Sequence, residues 1–239
     1  MIHITKRISQ SGLCSRREAK AKIFAGEVKV NGKVVTNPAI KVSVSDKILV
    51  DNKPISTAPE VKLWLYNKAK GVITTHRDPQ NRPTVFASLP KDMPRVVSVG
   101  RLDINSEGLL LLTNQGELAR FFELPKNNMI RRYKVRVFGK LDISKLQNLS
   151  KGCIISDIRY GKIEVKIIEP GKSNSWLEII LREGKNREIR KVMEHLGLKV
   201  SRLIRLQYGP YLLEDLSKGH VKETKITKEI YANYIKCTF

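Results

Sequence analysis

Apolar positions recur along the chain with two different periods, and the change of period divides it. Near the start the period is helical. "ITKRISQSG" sets Ile4 and Ile8 on one face and stops at Gly12, which predicts a short helix. In "CSRREAKAKIFAGEV", Ala19 and Ile23 share one stripe while Arg16 and Lys20 share another, with Arg17 alongside. Ser15 before that segment and Glu18 three residues on form a capping-box signature, and Gly26 is placed to end the helix. "VKVNGKVV" then gives two short strand-like runs around Asn31-Gly32, a strong hairpin signal. Residues 51–62, "DNKPISTAPEVK", carry two prolines and no clear period, which predicts a linker or domain edge.

From Leu63 onward strand-like runs dominate. "KLWLYNK" and "KGVITT" read as strands about a turn, "RYKVRVFG" alternates cleanly, and "SWLEIILR" is another strand. "NREIRKVMEHLG" is helical, with Ile189, Val192, Met193 and Leu196 at core spacing and Gly197 at its end. Strands arrive in runs with helices between only some of them. The fold class predicted is α+β, on a mixed, largely antiparallel sheet. The expected division is a small domain over 1–60 and a larger one over 61–239.

One carboxylate interrupts this pattern. In "SVGRLDINSEGLLLLTNQGEL", Asp103 stands between Val96, Val97 and Val99, read as a buried strand, and the aliphatic run Leu109 to Leu112, read as a second. A carboxylate buried at such a junction needs a cation or hydrogen-bond donors to compensate it. By itself the stretch fits a turn residue as readily as a reactive one.

Charge narrows the partner. The chain of 239 residues carries 45 Lys and Arg against 23 Asp and Glu, a formal net charge of +22. Such an excess favours a polyanion, nucleic acid before an anionic membrane. No apolar stretch is long enough to span a bilayer and the first ten residues hold no signal core, so the expected setting is cytoplasmic with no membrane partner. Cys14, Cys153 and Cys237 are scattered, as suits a reducing compartment, and the four histidines show no metal-ligand spacing, so no metal site is expected. The capped helix with its basic stripe, followed by a Lys-bearing hairpin, makes a rigid positive surface suited to phosphate contacts. Arg16, Arg17, Lys20, Lys29 and Lys33 are its candidates.

Two resemblances sharpen this. "GLCSRREA" from Gly12 and "VKVNG" from Val28 resemble, in order and spacing, the alpha-L RNA-binding motif of small-subunit ribosomal protein four. "GRLDINSEGLLLLTNQGELA" resembles the catalytic motif of the RsuA-like rRNA pseudouridine synthases. "NKAKG" from Asn67 is similar to that family's first motif, and "REGKNREIRKVMEHLG" with "VSRLIRLQYG" to its third. The match departs at Ala69, where the family carries proline, and at Leu124-Pro125, where it carries His-Pro.

The resemblance implies a site-specific isomerisation of uridine to pseudouridine in ribosomal RNA, of the large subunit first and the small subunit second, by a monomer without a cofactor. It implies Asp103 as the catalytic carboxylate, Arg190 as its cationic partner with Arg187 second, and Tyr133 against the target base. Lys68, Arg101, Lys185, Arg187 and Arg202 join the candidates for holding RNA. The chemistry suits a carboxylate. Cleavage of N1–C1′ builds positive charge on the sugar, which an ionised Asp can stabilise or trap, and the target base must leave its stack to be reached. Whether Asp103 attacks the sugar, attacks the base or takes a sugar proton stays open at this level. The competing reading is a non-catalytic RNA clamp, which has no reason to bury a carboxylate beside phosphates. DNA binding is a weaker third, because no helix-turn-helix or zinc pattern occurs.

Overall fold

The structure, a computed structural model, describes residues 1–56 and 59–238, with the side chains of residues 237 and 238 left aside. Cys237 therefore lies outside the described side chains, while Cys14 and Cys153 are free thiols. The described chain divides into two compact units. The first comprises Met1–Lys62 with Asp92–Val97 and Asn114–Gly116, and the second holds the rest.

In the first unit, β1 (Ile2–His3) leads into α1 (Ile4–Gln10) and α2 (Arg16–Phe24). Then come β2 (Val28–Val30), β3 (Lys33–Val34), β4 (Lys41–Val42), β5 (Ile48–Val50) and β6 (Lys53–Pro54). Ile4, Ile8, Ala19 and Ile23 are fully buried in one cluster with Val28, Val42, Ile48 and Val50. The capping box forms as the sequence predicts: Glu18 N–H donates to Ser15 Oγ at 3.1 Å, and Ser15 N–H donates to Glu18 Oε2 at 2.8 Å. Asn31 and Gly32 have φ of +50° and +83°, the left-handed pair that a two-residue hairpin requires. The four strands run β3-β2-β5-β6. Of the linker or domain edge expected over 51–62, the first residues are turn and strand rather than linker. Asp51 and Asn52 are a second left-handed pair, and they fold Lys53–Pro54 back onto Leu49 and Val50. Proline is tolerated there because β6 is an edge strand. Residues 57 and 58 of that stretch lie outside the described residues.

From Leu63 the strands are β7 (Leu63–Lys68), β8 (Val97–Ser98), β9 (Glu107–Thr113), β10 (Arg131–Phe138), β11 (Cys153–Ile155) and β12 (Ile158–Tyr160). They continue with β13 (Ile163–Glu169), β14 (Asn174–Leu181), β15 (Lys199–Tyr208), β16 (Tyr211–Leu212) and β17 (Val221–Thr224). The helices are α3 (Gly116–Glu123), α4 (Ile143–Asn148), α5 (Glu188–His195) and α6 (Lys228–Thr238). The main sheet runs β13-β14-β10-β15-β9-β7-β17. Its neighbours on this path are antiparallel except β15 with β9. The α+β class with a mixed, largely antiparallel sheet is what the sequence predicts. Every residue of β7 and β9 is buried, which explains their unbroken apolar runs, whereas β10 alternates because one side is more open.

Two local expectations differ. "KGVITT" is not a strand. It belongs to a loop held by a single parallel bridge, Ile73 to Thr84, and by Thr74 Oγ1 donating to the Leu102 carbonyl at 3.0 Å. In α5, Ile189, Val192 and Met193 are buried but Leu196 is only partly so. The helix ends at His195, Gly197 turns the chain at φ +77°, and Leu198 fills the core position instead.

The parallel pair explains a glycine beside the candidate carboxylate. Gly108 has φ +97°, and a Cβ placed on it would lie 2.3 Å from the Arg205 carbonyl oxygen. Only glycine lets β9 and β15 approach this closely.

Candidate active site

Asp103 heads a tight turn that delivers the chain into β9: Ser106 N–H donates to the Asp103 carbonyl at 2.9 Å. Beneath it lies Lys68, the last residue of β7, which is fully buried. Its Nζ donates to the carbonyls of Ala69 and Asp103, both at 3.1 Å, and of Ser106 at 2.9 Å. Burial pulls the Lys68 ammonium down to about 8, against the pull of Asp103 and Glu107 in the other direction. Three carbonyl acceptors call for three donors, which only the ammonium supplies. Lys68 is therefore a peg that fixes the turn, and its burial excludes the RNA contact expected for it.

The Asp103 side chain is 34% exposed, not buried as its apolar flanks suggest. It lines an open cavity of about 600 Å³ between the turn, β10, α5 and β15. Tyr133 on β10 lines the same cavity and is 8% exposed. Arg187 and Arg190 approach from the start of α5. Arg187 Nη1 lies 3.7 Å from Asp103 Oδ2, whereas Arg190 donates to the Asn105 carbonyl at 2.9 Å and the Val200 carbonyl at 3.2 Å. The order of partners implied by the resemblance is thus reversed in this geometry: Arg187 makes the ion pair, and Arg190 braces the turn that carries Asp103. Burial, then the neighbouring Arg187, lowers the Arg190 guanidinium, while Asp103 opposes them.

The remaining candidates divide. Arg101 and Lys185 line the cavity and are exposed, although Lys185 also holds Glu183 and the Arg159 carbonyl. Arg202 is committed elsewhere: its Nε and Nη2 reach Glu107 Oε1 and Oε2 at 2.8 and 3.0 Å. With Lys218 adding a 2.9 Å contact, the Arg202 hydrogen bonds hold Glu107 at about 2 despite its burial. In the first unit Arg16, Arg17, Lys20 and Lys33 are exposed, whereas Lys29 is half-buried and donates to Asn52 Oδ1 at 3.0 Å.

Comparison with known proteins places the chain in a family. The RNA pseudouridylate synthase family matches residues 62–195, and the S4 domain matches residues 5–48. The chain belongs to the RNA pseudouridylate synthases. It is 49% identical over 223 residues to an "Uncharacterized RNA pseudouridine synthase" of Rickettsia felis, covering 93% of this chain and 96% of that one. It is 39% identical over 235 residues to "Ribosomal large subunit pseudouridine synthase B" of Salmonella typhimurium, covering 95% and 81%. A crystal structure of a pseudouridylate synthase superposes with a TM-score of 0.67 at 23% identity, over 97% of this chain and 99% of that one, and shares its fold. This synthase is an isomerase with an amino-terminal S4 domain. Among its described residues no helix is long and apolar enough to cross a membrane.

Sequence reasoning passes over four cavity residues of this synthase. Glu188 is 4% exposed, and burial, reinforced by Glu183, pushes its carboxyl up to about 8. Arg131, Arg205 and Tyr208 are 6%, 3% and 1% exposed. A signal exists for the arginines. Arg131 falls on the same strand face as Tyr133, Val135 and Val137, and Arg205 on that of Leu203, so both interrupt apolar stripes.

Proposed function

We propose that this synthase isomerises a uridine of large-subunit ribosomal RNA, with Asp103 as the catalytic carboxylate. The observation that carries the reading is the meeting of Asp103, Tyr133 and Arg187 in one cavity that also has room for an extruded nucleotide. The likeness to the large-subunit synthase of Salmonella typhimurium supports the choice of RNA. In this reading Arg187 supplies the counter-charge beside the carboxylate, Tyr133 packs against the extruded base, and Arg190 and Lys68 hold the turn rigid around the reacting group. The positive charge that develops on the sugar then faces a fixed negative one. Leu102, Leu181 and Leu203 supply apolar wall, which keeps water from a detached base. Arg16, Arg17, Lys20 and Lys33 of the S4 domain, with Arg101, Lys185 and Arg187 at the cavity, hold phosphates. The domain division proposed remains at residues 60 and 61.

The test is a map of pseudouridines in ribosomal RNA from cells with and without the protein, repeated with Asp103→Asn. One large-subunit position should disappear on deletion and return with the parent chain only. The variant should lose turnover by roughly 10³-fold or more while its RNA affinity holds. A variant that restores the position removes Asp103 from the chemistry. Loss of a small-subunit position instead would redirect the substrate assignment and leave the chemistry standing.

A further inference from the structure

Beside the carboxylate, the floor of the cavity holds a second charged feature of opposite sign. Two guanidinium groups lie against the Tyr208 ring, Arg131 with its Cζ 4.6 Å from the ring centroid and Arg205 with its Cζ at 4.9 Å. The phenol accepts from Arg131 Nη2 at 2.7 Å and donates to the Phe122 carbonyl at 3.0 Å. Arg131 Nη1 is satisfied by the carbonyls of Met129 and Arg182. Arg205 Nε donates to the Leu109 carbonyl at 2.7 Å, but its Nη2 is buried with no hydrogen-bond acceptor. Among the described residues, neither arginine forms a salt bridge with a carboxylate. Glu123, another carboxylate lining the cavity, accepts from Gly100 N–H at 2.9 Å.

Two buried cations without an anion are costly, and an arrangement of this kind persists where a ligand supplies the charge. The reaction supplies one. When N1–C1′ breaks, its electron pair stays with the base and spreads onto O2 and O4. If a carboxylate adds at C6 of the base instead, the C5=C6 pair moves towards C5 and O4, so O4 becomes negative. The pair then forms the new C5–C1′ bond, the C5 proton leaves, and N1 takes up a proton, so atoms and charge balance without a co-reactant. Each of the three routes left open for Asp103 therefore needs a positive field at the base.

We infer that Arg205, backed by Arg131, stabilises the negative charge that develops on the uracil oxygens. Register supports the placement. Arg205 and Tyr133 are direct partners across the β10–β15 pair, so both side chains project from one face into the cavity, where the tyrosine is assigned to the base. A fixed guanidinium in a poorly hydrated floor acts strongly on charge that appears only during the reaction. The inference rests on the isomerase activity and not on which RNA is modified.

The experiment uses the full chain in excess over total RNA from cells that lack the protein and were fed uracil tritiated at C5. Tritium release, followed at several protein concentrations, yields a maximal rate and a half-saturating concentration. Arg205→Gln should lower the maximal rate about 100-fold, the usual loss for one oxyanion donor, and leave half-saturation within about twofold. Arg205→Lys should recover the rate to within about tenfold of the parent, because it restores charge without the fork. An unchanged maximal rate, or a shift in half-saturation alone, would overturn the inference and make the pair a phosphate clamp. Equal slowness of both variants would also overturn it, since shape and not charge would then matter. Should Arg205→Gln fail to fold, a folded Arg205→Lys that is 100-fold slow overturns it equally. Release by the parent in the same samples separates failure of the activity itself from failure of this role.

Discussion

Arg187 reaches Asp103 from a strained backbone. The guanidinium that lies 3.7 Å from the carboxylate belongs to the residue that precedes α5, and that residue sits at φ +51°. A side chain other than glycine pays about 1 kcal/mol to occupy the left-handed region. The ion pair itself is half-exposed and contributes roughly 0–1 kcal/mol to folding. Arg187→Gly should thus leave the unfolding temperature unchanged or raise it slightly, while turnover falls about tenfold or more as Asp103 loses its counter-charge. Arg190→Gln should behave differently, lowering both stability and turnover, because it releases the Asn105 and Val200 carbonyls. Parallel melting curves and tritium-release rates distinguish the two arginines.

Gly108 carries a purely steric prediction. Its φ of +97°, and the 2.3 Å that would separate an added methyl from the Arg205 carbonyl oxygen, leave no room for alanine. Gly108→Ala should cost roughly 3–5 kcal/mol, the sum of backbone strain and displacement of β15. A denaturant titration checks it. A cost below about 1 kcal/mol would mean that β9 and β15 separate easily, and the cavity floor with them.

How far the sequence discloses this molecule depends on how local the cause is. The capping box at Ser15 and Glu18 and the turn at Asn31-Gly32 are set by neighbours in the chain, and they appear where the sequence predicts them. Asp51-Asn52 makes the same turn without glycine, and the following proline disguises the strand it leads into. Lys68 shows the opposite limit. Nothing near it in sequence announces that the Asp103 and Ser106 carbonyls will converge on its ammonium. Glu107 likewise draws Arg202 from 95 residues away, a pairing that no local pattern announces. Asp103 is legible through its motif, but its partial exposure is not, because much of the cavity is made by β10, α5 and β15, which lie far from it in sequence.

Glu188 gives a dependence on pH whose sign is fixed by its surroundings. Burial and the adjacent Glu183 raise its carboxyl to about 8, above the ordinary 4.5 it regains on unfolding. The folded chain therefore binds the proton more tightly, and this group's contribution to stability falls as pH rises from about 4.5 to about 8. Glu188→Gln keeps an oxygen for the Lys185 N–H, which donates to Glu188 Oε2 at 2.9 Å, and carries no charge at any pH. The variant should match the parent near pH 4.5 and become more stable than it towards pH 8. Melting temperatures across that window report the difference. A gap that stays constant, or closes at high pH, would place the raised carboxyl elsewhere.

The S4 domain offers a prediction about affinity that is independent of the catalytic cavity. Arg16, Arg17 and Lys20 are exposed on α2, while the buried face of that helix is made by Ala19 and Ile23. Neutralising the three to glutamine leaves the packed face and the capping box untouched. It also removes two cations from the positive end of the helix, where they oppose the dipole, so the melting temperature should hold or rise slightly. RNA binding responds to a different quantity. Each phosphate contact releases counterions, so the slope of log affinity against log salt measures the number of contacts. If all three residues hold phosphates, the slope should become shallower by roughly 2 to 3. Titrations of ribosomal RNA at several salt concentrations, with parent and triple variant side by side, give both slopes. Equal slopes would show that this helix face meets no phosphate and would move the docking surface to the exposed Lys33 hairpin. A shallower slope with an unchanged maximal rate of tritium release would separate capture of RNA by α2 from isomerisation at Asp103.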